Sequence, residues 1–386
     1  MQTPAVQWTD PERHQFFSDW VRALAAPHRL NLESLQVASA DASFRRYLRV
    51  DSQLDESDGS MIIMDAPPTK EDCEPFVRIA GLMDAAGLVV PKILDWNRTQ
   101  GFILMRDLGN QTMMAAIDPA SASLNLPLYL EAVDCLIHWQ LASRAGVLPD
   151  YNEALLRREL ELFPEWYVAR HRSYVLSPDQ RRTLDEAFGR VIAHNLQWPS
   201  VYVHRDYMPR NLMVGLAHQA PPLSKLPPSN EAGFSRSGSL KNSERQSTSA
   251  GMGILDFQDA VYGPITYDIA SLLRDAFLSW EEEFVLEVTI RYWERARKAG
   301  LPVGDDFGLF YQGVEWMGLQ RHLKVAGIFA RLTLRDGKPK YLADAPRFIN
   351  YIRATCGRYM ELKPLLRLVE KLEGIEFQSP YAHGRF

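Results

Sequence analysis

Residues 204 to 211 read His204-Arg205-Asp206-Tyr207-Met208-Pro209-Arg210-Asn211, and Asp256 stands further on in Gly253-Ile254-Leu255-Asp256-Phe257-Gln258-Asp259. A carboxylate and an amide at the first spacing suit phosphoryl transfer to a hydroxyl. Asp206 would accept the hydroxyl's hydrogen bond and then its proton, while the Asn211 amide oxygen reaches a divalent cation one loop away. The second stretch is an apolar strand ending in Asp-Phe, which offers Asp256 as another oxygen ligand. Two such ligands plus phosphate oxygens match the oxygen shell that Mg2+ prefers. Each match has a plain alternative: a polar surface turn for the first, a strand-ending aspartate for the second. Their order along one chain ties them together.

The elements that would position these groups are visible around them. A helix is expected from Asp10, with Pro11 at its first position and Phe16, Phe17, Trp20, Val21 and Leu24 on one face. Two strands around a small polar turn fill residues 35–50, and a third strand fills 60–68. A helix over 70–86, stopped by Gly87, precedes strands at 91–96 and 101–107. After Gly109 the pattern turns to long amphipathic helices, at 128–144 and 153–170. Another runs from a Ser177–Gln180 capping box to about Asn195. A strand at 201–204 leads into the first motif, residues 212–214 anchor its far side, and a mostly helical tail begins at Thr266. Residues 216–251 are rich in Pro, Ser, Gly and Asn and poor in apolar side chains. They cannot bury enough surface to offset their ordering entropy, so a loop inserted at a hairpin tip is expected. Tolerated padding explains it more simply than regulation does.

Next comes Gly263-Pro264-Ile265-Thr266-Tyr267-Asp268-Ile269-Ala270-Ser271-Leu272-Leu273. With the two motifs before it, this resembles the aminoglycoside phosphotransferase and choline kinase branch of the kinase-like superfamily. The resemblance covers about residues 35–347. It implies an α+β, two-lobed protein-kinase-like fold: a β-rich nucleotide-binding lobe over 1–108 and a helical catalytic and acceptor lobe over 109–386. It also implies ATP and Mg2+ in the cleft, with His204 and Asp268 as structural support for the catalytic loop. Three stretches carry a closer likeness: residues 41–47 (DASFRRY), 315–324 (EWMGLQRHLK) and 327–332 (GIFARL). They resemble the bacterial anomeric N-acetylmuramate/N-acetylglucosamine kinases of cell-wall recycling. That likeness implies transfer of the ATP γ-phosphoryl group to the C1 hydroxyl of an N-acetylated amino sugar. The sugar 1-phosphate would then feed a uridylyltransferase toward peptidoglycan precursors.

The nucleotide side departs from the kinase pattern. Residues 39–44, including Ser43, sit where a phosphate-covering loop belongs, yet hold no glycine; an ordinary hairpin turn is the alternative. The third strand has Met61, Ile62, Ile63 and Met64 where a lysine is expected. Arg46 and Arg49 are the candidates to meet the phosphates instead, unless they only form a solvated strand face. Residues 102–108, with Met105 and Asp107, resemble the hinge that bonds adenine, with Ile63 against the ring. An ordinary buried strand would look the same.

The 386-residue chain carries a net charge of −5, with 46% hydrophobic and 24% charged residues. This gives no reason to expect a nucleic-acid or membrane partner, and no obligate protein partner is evident. Three distant cysteines fit reduced thiols, and no signal peptide or membrane span is visible, so the cytoplasm is expected. Residues 301–386 hold thirteen basic and nine acidic side chains. That surplus disfavours a polycationic acceptor and suits a neutral or carboxylate-bearing sugar. Trp166, Trp316 and Tyr311 could stack on a sugar face, and Arg210, Arg321 or Arg331 could meet its polar groups. Core packing is the plainer role for helical aromatics. The rival readings are a kinase for choline, ethanolamine, homoserine or an aminoglycoside, and a nucleotide-binding module without catalysis. A protein kinase is disfavoured because no activation segment precedes an Ala-Pro-Glu anchor.

Overall fold

The computed structural model describes residues 6–40, 44–53, 59–216 and 251–375. Ser43 and nearly all of the expected insertion lie outside them. The described residues form two compact units, one taking those within 6–117 with 210–216 and 251–259, the other taking 118–209 and 260–375.

In the first unit, helix α1 (Pro11–Ala25) starts as expected: the Asp10 side chain accepts the N–H groups of Glu12 and Arg13, and proline follows it. Its apolar face covers an antiparallel sheet of β1 (Leu30–Ala40), β2 (Arg46–Ser52), β3 (Ser60–Asp65), β4 (Ile93–Asn97) and β5 (Phe102–Arg106), ordered β1-β2-β3-β5-β4. The register pairs Arg46 with Asp65, Leu48 with Ile63 and Val50 with Met61. Leu48, Val50, Met61 and Ile63, with Phe102 and Leu104, form one buried core with Phe17 and Val21 of α1. Burying each such side chain stabilises by about 1.5–3 kcal/mol. Because side chains alternate along a strand, Tyr47, Arg49, Ile62, Met64 and Met105 belong to the opposite face.

Helix α2 (Glu74–Ala85) begins later than expected from Lys70. Residues 67–70 turn instead, and the Asp72 carboxylate accepts the Glu74 N–H at 2.9 Å before Pro75 opens the helix. Gly101 has a φ of +69°, and a Cβ there would sit 2.0 Å from the Ala66 carbonyl oxygen, so only glycine fits the turn into β5. A short helix α3 (Met113–Ala116) follows.

The boundary between the units differs from a cut at residue 108. Strand β7 (Leu212–Leu216) pairs with β8 (Gly251–Ile254), and both join the first unit. Val214 N–H bonds the Gln111 carbonyl at 3.0 Å, and Ile254 N–H bonds the Val89 carbonyl at 2.9 Å. Backbone pairing thus overrides sequence position.

The second unit holds a ladder of β6 (Ser200–Val203) and β9 (Val261–Pro264) among helices. These are α4 (Ala122–Leu141), α5 (Glu153–Leu160), α6 (Pro178–Asn195), α7 (Thr266–Leu273), α8 (Glu282–Lys298), α9 (Phe307–Leu334), α10 (Ala345–Arg358) and α11 (Lys363–Glu373). The expected helix over 153–170 is broken after α5. A π-helical segment, Phe163–His171, follows, and Pro164 in its first turn has no N–H to continue the α ladder. The Ser177–Gln180 capping box of α6 is present. Helix α9 is buried along most of its length, charged residues included. Among the described residues no helix is long and apolar enough to cross a membrane, and Cys73, Cys135 and Cys356 are buried outside any disulfide.

Candidate active site

In the second unit, β6 delivers the chain to His204, which is fully buried. Arg205 then takes a φ of +76°, a conformation costly for a residue with a Cβ. Four hydrogen bonds hold this turn. The Asp268 carboxylate, buried on α7, accepts the N–H of His204 at 2.7 Å and that of Arg205 at 3.1 Å. Arg321 on α9 donates to the Arg205 carbonyl at 2.7 Å. The Asp206 N–H donates to His204 Nδ1 at 3.2 Å. Burial pushes the Asp268 carboxyl up to about 7, with the two backbone donors and Arg321 opposing the rise. These contacts fix the backbone on either side of Arg205 up to Asp206.

A second layer of contacts, none of them expected, supports the same turn. Glu159 on α5 is buried with the Arg205 guanidinium, with Lys324 of α9 at 3.0 Å and with the Tyr151 hydroxyl. Burial would raise the Glu159 carboxyl, but Lys324, Arg205 and Tyr151 outweigh it and hold it below its ordinary value. Glu159 and Lys324 lie 165 positions apart in the chain, and Lys324 was visible only inside the 315–324 stretch.

His322, one residue beyond Arg321, is 3% exposed. Its Nε2 meets the Arg274 carbonyl at 3.2 Å, and its ring stacks on Tyr351 at 4.5 Å. Burial, then the charge of Arg274, lowers its pKa to about 3, with Arg321 adding to the effect. An unfolded chain takes up this proton below about 6.5, whereas the native one resists it down to about 3. The contribution is therefore complete above 6.5 and declines as the pH falls, by about 1.4 kcal/mol per unit. Denaturant titrations at pH 7.5 and 5.5 are expected to show a loss about 1.4 kcal/mol larger for wild type than for His322→Gln. Equal losses in the two proteins would refute this account of His322.

The first unit carries the candidate metal ligands. Leu255 N–H bonds the Asn211 carbonyl at 2.9 Å, which aligns the ends of β7 and β8. Asn211 Nδ2 then lies 3.5 Å from Asp256 Oδ2, and Gln258 Nε2 donates to Asp256 Oδ1 at 2.9 Å. Asp256 adopts a φ of +62°, which nothing in the sequence announced. The pair offers amide and carboxylate oxygens together, the hard donors that a divalent cation takes alongside phosphate and water. Among the described residues no group of three His, Cys, Asp or Glu could hold a metal.

The expected nucleotide residues fare differently. Arg46 meets Asp65 through Nε at 3.0 Å, Arg13 meets the same carboxylate at 2.8 Å, and the Arg46 guanidinium lies over Trp8. Asp65 is 1% exposed, and two arginines answer its buried charge. Arg49 pairs with Asp107 at 3.1 Å, and Asp107 also accepts from Ser60 and from the Gly109 N–H. Both arginines are thus engaged by carboxylates of the sheet. Ile63 faces α1 in the core, which corrects the expectation that it lies against an adenine ring; one residue's step places Ile62 and Met64 on the other face. Met105 is buried on that other face.

Most of the expected acceptor residues have partners within the fold. The face of Trp166 is covered by Arg170 at 3.9 Å, and Trp316 is packed between His194 and Tyr359. Both rings are buried. Arg321, 3% exposed, braces the turn at Arg205 and lies over Tyr267 at 4.9 Å. Tyr311 is hydrogen-bonded within a cluster of Arg274 and Glu282. Arg331 is half-buried on α9, and Arg210 is exposed.

The chain belongs to the phosphotransferase enzyme family, whose profile matches residues 34–223 and 247–305. It is 45% identical over 344 residues to the N-acetylmuramate/N-acetylglucosamine kinase of Neisseria meningitidis serogroup B, covering 89% of this chain and 91% of that one. It is 44% identical over 335 residues to the protein of the same description from Pseudomonas aeruginosa, covering 87% of each. A choline/ethanolamine kinase family protein from Mesorhizobium loti superposes with a TM-score of 0.55 at 14% identity, over 92% of this chain and 99% of that one. The fold is protein-kinase-like.

Proposed function

We propose that this chain transfers the γ-phosphoryl group of ATP to the anomeric C1 hydroxyl of N-acetylmuramate or N-acetylglucosamine, in the cytoplasm, with Mg2+ as the cation. The observation that carries this reading is the identity of 45% and 44% to two kinases named for those sugars, spread over about nine-tenths of each chain. Asp206, fixed by the Asp268 and Arg321 anchors, orients the acceptor hydroxyl and takes its proton. The anomeric hydroxyl is the most acidic of a reducing sugar, so a carboxylate base suffices. Asn211 and Asp256 would hold the cation, which neutralises charge on the transferring phosphate. Catalysis then rests mainly on positioning and electrostatics. Arg210 and Arg331 are the basic side chains proposed for the acceptor. The basic surplus of residues 301–386 favours a lactyl carboxylate over a polycation.

The expected result is a kcat/KM with ATP and Mg2+ at least about 100-fold higher for the two N-acetyl sugars than for choline, ethanolamine or homoserine. That ratio corresponds to about 2.7 kcal/mol of discrimination. A coupled assay of ADP release across this panel measures it. Preference for an amino alcohol, or ATP turnover with none of them, would overturn the reading.

A further inference from the structure

The third strand has no lysine, and Arg46 and Arg49 are held by Asp65 and Asp107. We infer that Arg45, positioned by Glu71, is the cation that meets the α- and β-phosphates of the nucleotide. The inference rests on the ATP-dependent reading above and names a residue of its donor site.

Arg45 immediately precedes β2, and strand alternation puts it with Tyr47 and Arg49, on the face away from α1. Its side chain is only 10% exposed, yet it contributes nothing to the apolar core under α1. Its Nη2 lies 3.1 Å from Glu71 Oε2, and Glu71 Oε1 accepts the Phe44 N–H at 3.3 Å. One carboxylate therefore fixes both the guanidinium and the backbone that follows the small-residue stretch at 39–43. Glu71 stands three residues before α2, and Phe76 of α2 stacks on Phe257 at 4.9 Å, beside Asp256. The segment that carries Glu71 is thus tied to the segment that carries the candidate metal ligand. Burial would lower the Arg45 pKa, but Tyr47, Glu71 and the Asp256 carboxylate raise it above the usual arginine value.

In phosphoryl-transfer enzymes of this architecture, a basic side chain at the α- and β-phosphates is commonly held by a carboxylate from the neighbouring helix. Here the same charge pair is built from a different strand and from the turn before the helix. The planar fork of arginine matches phosphate oxygens in a way that a lysine ammonium does not.

The test is calorimetric binding of adenosine and of Mg2+–ADP to wild type, Arg45→Gln, Arg45→Lys, Glu71→Gln, Arg46→Gln and Lys70→Gln. Arg45→Gln is expected to weaken ADP by about 10- to 100-fold, the scale of a charge-assisted bond, with adenosine changed less than about twofold. Arg45→Lys should recover part of the loss. Glu71→Gln should weaken ADP less than Arg45→Gln and again spare adenosine. Arg46→Gln should lower Tm through Asp65 without changing the ratio of ADP to adenosine affinity. Wild-type ADP affinity in Arg45→Gln, equal losses for both ligands, or a selective ADP loss in Lys70→Gln alone would overturn the inference. Should Arg45→Gln not fold, Arg45→Lys decides: unchanged ADP affinity rejects the inference, and a selective loss supports it. Wild type that binds neither ligand would instead overturn the ATP-dependent reading, and this inference with it.

Discussion

Replacing Asp206 with alanine is expected to lower kcat by about 10²- to 10⁴-fold, the range of a positioned general base, with little change in Mg2+–ADP affinity or Tm. The turn that carries Asp206 depends on other groups. Asp268 holds the N–H groups of His204 and Arg205, Arg321 holds the Arg205 carbonyl, and Glu159 with Lys324 braces the Arg205 side chain. Truncating Asp206 removes none of these hydrogen bonds and ion pairs, so the backbone conformation at Arg205 is expected to persist while the proposed base is lost. Asp206→Asn keeps the shape and removes the base, and should be as inactive. Steady-state rates with saturating sugar, beside nucleotide titration of the same variants, separate the two effects. A kcat within about tenfold of wild type, below the usual general-base effect, would contradict the role given to Asp206.

The second large effect is expected at Asp256. Its backbone sits at φ +62°, so alanine there would combine strain of about 1–2 kcal/mol with ligand loss. Asparagine tolerates that conformation and can still accept from Gln258, so Asp256→Asn isolates the charge. Activity should fall by about 10²- to 10³-fold, matching the several kcal/mol of charge stabilisation that a bound cation supplies. The Mg2+ concentration for half-maximal rate should rise by at least about tenfold, the smallest shift a lost carboxylate ligand would give. Adenosine affinity should stay within about twofold, because the change is confined to the cation site. An unchanged Mg2+ dependence would show that Asp256 is not a ligand.

Much of this was legible in the sequence because it is local. Asp10-Pro11 and Ser177–Gln180 mark helix starts through capping chemistry confined to four residues. The spacing from His204 to Asn211 and the Asp-Phe pair are short-range patterns too. What escaped depends on partners distant in the chain. Arg46 faces Asp65 across one register pair, while its neighbour Arg45 faces Glu71; composition cannot distinguish two adjacent arginines without the register. A single step of that register likewise moved Ile63 into the core against α1. Trp166 and Trp316 had helical spacing compatible with either packing or stacking, and only Arg170, His194 and Tyr359 show that their faces are covered. The compact units divide elsewhere than at residue 108 for the same reason, because β7 and β8 pair with Thr112 and Val89, far away in sequence. Positive φ at Arg205 and Asp256 runs against residue propensity, and such conflicts concentrate where function sets the geometry.

The most direct measurement is phosphorus NMR of the product formed from ATP, Mg2+ and N-acetylmuramate or N-acetylglucosamine. The account predicts a new phosphomonoester resonance coupled to the anomeric proton, labile to mild acid and absent with Asp206→Ala. A phosphate coupled to any other sugar position, or a panel in which only an amino alcohol is phosphorylated, would contradict it.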